Sequence, residues 1–110
     1  MIEYPADKTP IEHKLIAVTV TYGDRWHHLI QVIPAIFAQA VVDALVIVDN
    51  ASIYDLTVKI NQTFPQFKHK ITVLLQAENL GSAGGFSLGL KKAYELLADF
   101  VYLLDDDNLP

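Results

Sequence analysis

The sequence contains no cysteine and few basic residues, and each shortage removes a class of function. Without cysteine, neither a disulfide scaffold nor a thiolate metal site can form. Only 8 Lys and Arg residues stand against 13 Asp and Glu residues, which gives the 110-residue chain a net charge of −5. This balance argues against binding along a nucleic-acid backbone, so we expect no nucleic-acid partner. It does not forbid one local nucleotide pocket.

The chain also lacks a targeting segment and a convincing membrane span. Residues 1–14 are charged and contain two prolines without an apolar run, so we interpret them as an N-terminal leader and not as a signal peptide. The longest apolar stretch, residues 29–48, includes Pro34 and Asp43. An aspartate inside a membrane span costs about 2.5–3.5 kcal/mol. We therefore expect a cytoplasmic protein, free or peripheral to the inner face of a membrane.

Apolar residues make up 52% of the chain and recur in patterns that alternate between strand and helix. Short β-rich runs predict strands, and spacings of three or four residues between them predict crossover helices. The predicted strands are Leu15–Thr21, Ala44–Val48, Ile71–Leu75 and Phe100–Leu104. Ser52 and Asp55 have the spacing of a capping box for the second helix. This order predicts an α/β fold, a three-layer sandwich with a mostly parallel sheet covered on both faces.

Three consecutive aspartates, Asp105 to Asp107, follow the fourth predicted strand. The carboxyl ends of parallel strands meet at one sheet edge, where ligands of such folds bind. In an extended segment Asp105 and Asp107 would share a face while Asp106 points away. Oxygen ligands suit Mg2+ or Mn2+, which also bridge to substrate phosphates. The structural alternative is a solvated turn or helix cap.

Other polar and glycine residues lie at the same predicted edge. The segment Asn79–Gly85 carries Gly81, Gly84 and Gly85 and is predicted as a turn that leads into a helix, where a phosphate could approach the backbone. The alternative is a tight connection capped by Ser82. Asp49 could accept hydrogen bonds from a ribose or a base, or form an ordinary turn. Tyr22 could stack on a base, and Arg25 could neutralise a phosphate.

The sequence lacks the main motifs of several other nucleotide-binding folds. The first strand is followed by a loop with one glycine, so the glycine-rich signatures of dinucleotide-binding domains and methyltransferases are missing. The Walker sequence is absent as well. A receiver domain would have its acids after the first strand, whereas here they follow the fourth.

The chain resembles the N-terminal, nucleotide-sugar-binding half of family 2 glycosyltransferases of the GT-A fold, and within them the rhamnosyl- and galactofuranosyl-transferase branch. The resemblance covers residues 16–110 and rests on four segments in order. They are Val20–Tyr22 with Arg25, Val46–Ser52, Asn79–Phe86 with Gly89, and Leu103–Asn108. Position 23 is Gly where the family usually has Asn.

The resemblance implies a role for each segment. Thr21, Tyr22 and Asp49 would hold the base of a UDP- or dTDP-sugar. Residues 79–85 would approach the ribose and diphosphate, with Arg25, Asp105 and Asp106 also contacting the donor. Asp105 and Asp107 would bind Mn2+ or Mg2+ as the family's D-x-D motif.

The resemblance also implies what this chain would lack. Family members are longer, so we expect a truncated GT-A domain, residues 15–110, with the catalytic base beyond Pro110. The implied reaction is glycosyl transfer to a saccharide or lipid-linked acceptor. We further expect self-association through an uncovered fourth strand. The alternatives are a non-catalytic nucleotide-binding module and a structural fragment whose acids and glycines form only turns.

Overall fold

The computed structural model describes residues 13–110. The predicted leader therefore lies almost wholly outside the described residues. Along the described chain, strands and helices alternate: β1 (Leu15–Gly23), α1 (Trp26–Phe37), β2 (Ala44–Ser52), α2 (Leu56–Thr63), β3 (Ile71–Gln76), α3 (Gly81–Glu95) and β4 (Phe100–Leu103). A 3-10 helix, Pro65–Lys70, separates α2 from β3.

The strands form one four-stranded sheet in the order β3-β2-β1-β4, and every neighbouring pair is parallel. The two middle strands are apolar on both faces and almost fully buried. Such strands need cover on two sides, which crossover helices supply. The predicted α/β architecture with a parallel sheet is confirmed.

Alternation along β1 and β2 divides the core into two layers. Ala17, Leu45 and Ile47 pack against the apolar faces of α1 and α2. Ile16, Val18 and Val46 face the opposite way and pack beneath α3. The sheet is therefore the middle layer of a three-layer sandwich, as predicted.

Helix α3 lies unusually close to the sheet because glycines face it. A Cβ on Gly85 would stand 2.7 Å from Cγ1 of Val20, and one on Gly89 would overlap Val18. Both glycines are buried. These two residues therefore serve helix–sheet packing.

Several local predictions differ from the structure. The segment from Gly81 to Gly85 is the first part of α3 and not a turn before it, with Leu80 at the N-cap position in place of Ser82. The capping box is also wrong, since Ser52 ends β2 and Asp55 alone caps α2 by accepting from the Val58 N–H at 3.1 Å. A short side chain that follows a strand is itself a sufficient cap.

Strand β4 lies at one edge of the sheet and pairs with β1 alone within residues 13–110. Its side chains are largely exposed, including Phe100, Val101 and Leu103. The prediction that this strand is uncovered is confirmed for the described chain. None of the helices in residues 13–110 has the length and apolar character that crossing a membrane requires.

Candidate functional site

A cavity of about 350 Å3 opens at the carboxyl edge of the sheet, where β1, β2 and β4 end and α3 begins. Its walls are mostly polar and come from four separate parts of the chain. The lining residues are Val20, Tyr22, Arg25, Asn50, Asn79, Gly81, Ser82, Phe86, Asp105, Asp106 and Asp107. The fold thus brings together, at one edge, most of the residues that the sequence singled out.

Asp106 is buried at the back of this cavity and makes three hydrogen bonds. Its Oδ2 accepts from Oγ1 of Thr21 at 2.9 Å and from Nε of Arg25 at 2.6 Å, and its Oδ1 accepts from Nη2 of Arg25 at 2.9 Å. The Arg25 contact is bidentate, the geometry that makes guanidinium–carboxylate pairs strong. We call these three residues the Thr21–Arg25–Asp106 clamp.

Arg25 places a positive charge in the cavity. The hydrogen bonds that Arg25 donates to Asp106, supported by the charges of Asp106 and Asp107, raise the pKa of its guanidinium above the ordinary value. Its Cζ lies 4.9 Å from the centroid of the Tyr22 ring. Tyr22 is thereby held at the mouth of the cavity with much of its ring exposed, available to a planar group.

Asp105 and Asp107 flank the buried Asp106 and are both exposed. They lie in a turn that follows β4, in which the N–H of Asn108 donates to the carbonyl of Asp105 at 3.2 Å, so the expected extended segment is replaced by a turn. Asp105 and Asp107 are thus exposed while Asp106 is buried, although all three line the same cavity. Asp107 has one long ion pair, with Nη2 of Arg25 at 3.5 Å.

Asn50 also lines the cavity, although the sequence did not single it out as a site residue. Its Nδ2 donates to the carbonyl of Gly81 at 3.0 Å, which ties the end of β2 to the start of α3. Its Oδ1 is buried without a hydrogen-bond partner among the described residues. The sequence feature that could have identified Asn50 is its position next to Asp49 at the end of a predicted strand.

The alternation of side chains along β2 explains why Asn50 and not Asp49 reaches the cavity, and a bulge follows directly after Asn50. Tyr22 pairs with Asn50 and Gly23 with Ser52, so Ala51 is left over, with a φ of 61°. Asp49 lies on the opposite face of β2 from Asn50, is buried, and accepts from the Ser52 N–H at 2.9 Å. Its carboxylate stabilises this turn.

Three other predicted residues do not line the cavity. Thr21 lies behind Asp106 and reaches the site only through the clamp. Gly84 and Gly85 belong to α3, where Gly85 faces the sheet. Asn79 and Gly81 do line the cavity, and Oδ1 of Asn79 accepts from the Gly81 N–H at 2.8 Å. Gly81 has a φ of 78°, a left-handed conformation that glycine adopts without strain.

The donor set at the cavity fits a divalent cation only in part. Within residues 13–110, no group of three or more His, Cys, Asp or Glu side chains is arranged to hold an ion. Mg2+ typically uses one or two carboxylates and completes its shell with water and substrate phosphates. Asp105 and Asp107 fit such a site, whereas both oxygens of Asp106 are taken by the clamp.

The parallel sheet with a polar cavity at its carboxyl edge agrees with the α/β fold of GT-A type that the sequence predicts. Residues 16–110 match the family described as Glycosyl transferase family 2. Because this match covers most of the chain, the chain belongs to glycosyltransferase family 2.

Individual proteins are similar to this chain in sequence or in fold. Galactofuranosyltransferase GlfT1 of Mycolicibacterium smegmatis is 38% identical over 68 residues, which cover 62% of this chain and 21% of that protein. The structure of S. aureus TarS 1-349 in complex with UDP superposes with a TM-score of 0.68 at 22% identity, covering 86% of this chain and 27% of that one. A 4-diphosphocytidyl-2C-methyl-D-erythritol synthase shares the fold at a TM-score of 0.65 and 19% identity, over 86% of this chain and 47% of that one.

This chain therefore spans about a fifth of the curated relative and about a quarter of the TarS chain.

Proposed function

We propose that this chain binds the nucleotide-sugar donor of a glycosyltransferase, a UDP- or dTDP-sugar, together with Mn2+ or Mg2+. One observation supports this most: the cavity combines two exposed carboxylates, a fixed guanidinium, an exposed aromatic ring and the start of a helix. A phosphate, a cation and a planar base each have a suitable partner there.

The diphosphate would lie between the start of α3 and the acids. The Gly81 N–H donates to Asn79, but the N–H groups that follow it in the first turn of this 15-residue helix have no partner within the helix and attract anions. Asp105 and Asp107 would repel the same diphosphate, so a cation must stand between them. In glycosyl transfer that cation supplies Lewis-acid stabilisation of the leaving diphosphate.

The base would lie against Tyr22, whose ring is held by Arg25 and exposed at the cavity mouth. The buried and unpaired Oδ1 of Asn50 offers an acceptor for an N–H of the nucleoside. This revises the role expected of Asp49, whose side chain is committed to its own turn. Uracil and thymine both carry an imide N–H that suits such an acceptor.

The reaction of the whole protein would be glycosyl transfer to a saccharide or lipid-linked acceptor. The family and the similarity to a galactofuranosyltransferase support this proposal. We also propose that the open edge of β4 pairs with a second copy of the chain, because an uncovered apolar strand edge offers free backbone donors and acceptors.

Two-dimensional NMR with UDP and Mg2+ tests where the donor binds. We expect amide shifts to concentrate at Tyr22, Asn50 and residues 79–82. Replacing Mg2+ by paramagnetic Mn2+ should broaden the amides of residues 105–107 first. Uridine without phosphate, the matched control ligand, should shift the amides of Tyr22 and Asn50 but leave those of residues 79–82 unshifted, because it carries no diphosphate. Shifts clustered elsewhere on the surface would contradict the proposal.

A further inference from the structure

Both carboxylate oxygens of the middle aspartate, Asp106, are engaged in the clamp. Asp106 accepts three hydrogen bonds from Thr21 and Arg25, and its side chain is only 6% exposed. Releasing either oxygen would leave part of a guanidinium unpaired in a half-enclosed position, which is costly. Asp106 is therefore not suited to contact the metal that Asp105 and Asp107 would hold.

Arg25 is a positively charged group already close to one of these two carboxylates, that of Asp107. Its Nη2 is already 3.5 Å from Oδ2 of Asp107, while its shorter contacts go to Asp106. The side chain of Arg25 is 21% exposed, and its stem is long enough to move by such a distance. A guanidinium freed from Asp106 would move onto Asp107 and compete there with a divalent ion.

We propose that Asp106 is a positioning residue, which holds Arg25 in the clamp and so keeps the carboxylates of Asp105 and Asp107 available to the cation. This inference rests on the proposed cation site. It predicts that Asp106 affects cation affinity without touching the ion, and only through the charge of Arg25.

Variants at both ends of the ion pair test this, with Mn2+ alone as the probe so that a nucleotide contact of Arg25 plays no part. Calorimetry or water-proton relaxation measures the affinity. Asp106→Asn keeps the shape of the side chain, and we expect a roughly three- to fivefold weaker Mn2+ affinity because one new surface ion pair now competes. Arg25→Gln combined with Asp106→Asn should restore the affinity to within about twofold of the wild type.

The outcomes separate the alternatives. If Asp106 were itself a ligand, the double variant would stay as weak as Asp106→Asn, which would overturn the proposal. Wild-type affinity in Asp106→Asn alone would overturn it too. The double variant buries no unpaired charge, so it carries the test if the single variant does not fold. Asp105→Asn should lose Mn2+ binding, and failure of the wild type to bind Mn2+ would overturn the proposed site instead.

A measurement without metal tests the role of Asp106 even if the wild type does not bind Mn2+. The Nε–H resonance of Arg25, assigned by its loss in Arg25→Gln, reports the partner of the guanidinium. Its chemical shift should be unchanged in Asp107→Asn. It should change in Asp106→Asn, because Arg25 then pairs with Asp107, and change again in the variant that combines Asp106→Asn with Asp107→Asn, because Arg25 is then solvated. Identical resonances in Asp106→Asn and the double aspartate variant would show that no such transfer occurs.

Discussion

At the scale of single residues, the three adjacent acids have two different environments. Asp106 is enclosed by the clamp, whereas Asp105 and Asp107 face the cavity and solvent. The sequence could predict that these acids lie at the carboxyl edge of the sheet, because they directly follow a predicted parallel strand. It could not predict the partner of Asp106, since Arg25 lies 81 residues earlier and only the pairing of β4 with β1 brings the two together.

Removing one exposed acid should separate cation binding from folding. We expect Asp105→Asn or Asp107→Asn to abolish the metal-dependent part of UDP binding. Without metal, the free energy of unfolding should stay within about 0.5 kcal/mol of the wild type or rise slightly, because a like-charge repulsion is relieved. Calorimetry and thermal unfolding in chelator measure the two effects. Glu95→Gln, at the far end of α3, removes the same charge and should change neither.

A large loss of stability in the metal-free Asp105→Asn or Asp107→Asn protein would instead indicate that these acids act as structural caps.

At the scale of secondary structure, the order of strands and crossover helices was predictable from the sequence, but the residue at which α3 begins was not. Strand and helix periodicities differ enough to place each main element. A cluster of glycines by itself predicts a turn. Here the helix begins at Gly81, and the sheet beneath α3 leaves no room for a Cβ on the glycines that face it. The short 3-10 helix at Pro65–Lys70 and the bulge at Ala51 likewise depend on tertiary packing and leave no clear periodic signal.

Two adjacent glycines offer a matched test of this packing. In Gly85→Ala the new Cβ would stand 2.7 Å from Val20, so we expect a loss of about 1–3 kcal/mol in the free energy of unfolding. In Gly84→Ala the nearest atom is Cβ of Leu80 at 3.2 Å, a milder contact. The gain in helix propensity, up to about 1 kcal/mol, should offset it. Denaturant unfolding measures both, and equal stability of the two variants would refute the packing role of Gly85.

At the scale of the whole molecule, the sheet is well covered on its faces and open at the β4 edge. The apolar side chains of β4 are exposed, and no charge within Phe100–Leu103 discourages pairing with another strand. The resemblance to longer family members could identify this strand as uncovered, because later strands would normally flank it. The sheet order β3-β2-β1-β4 could not be derived, because right-handed crossovers leave several orders open.

A charge placed on this edge should reduce self-association. We expect the wild-type chain to form dimers or larger species in light scattering, and Leu103→Lys to shift it toward monomer, since a lysine on an edge strand opposes pairing. Val41→Lys is the matched control, because Val41 is also exposed but lies between α1 and β2, away from β4. A wild-type chain that is monomeric at every concentration would contradict the proposed pairing.

The measurement that tests the central claim most directly is calorimetric titration of the chain with UDP, once with Mn2+ and once with chelator. The cavity places Asp105 and Asp107 where a diphosphate would otherwise be repelled, so the cation must bridge the two negative groups. The account predicts measurable binding in Mn2+ that is lost, or weakened at least about tenfold, in chelator. Equal affinity in both solutions would contradict it.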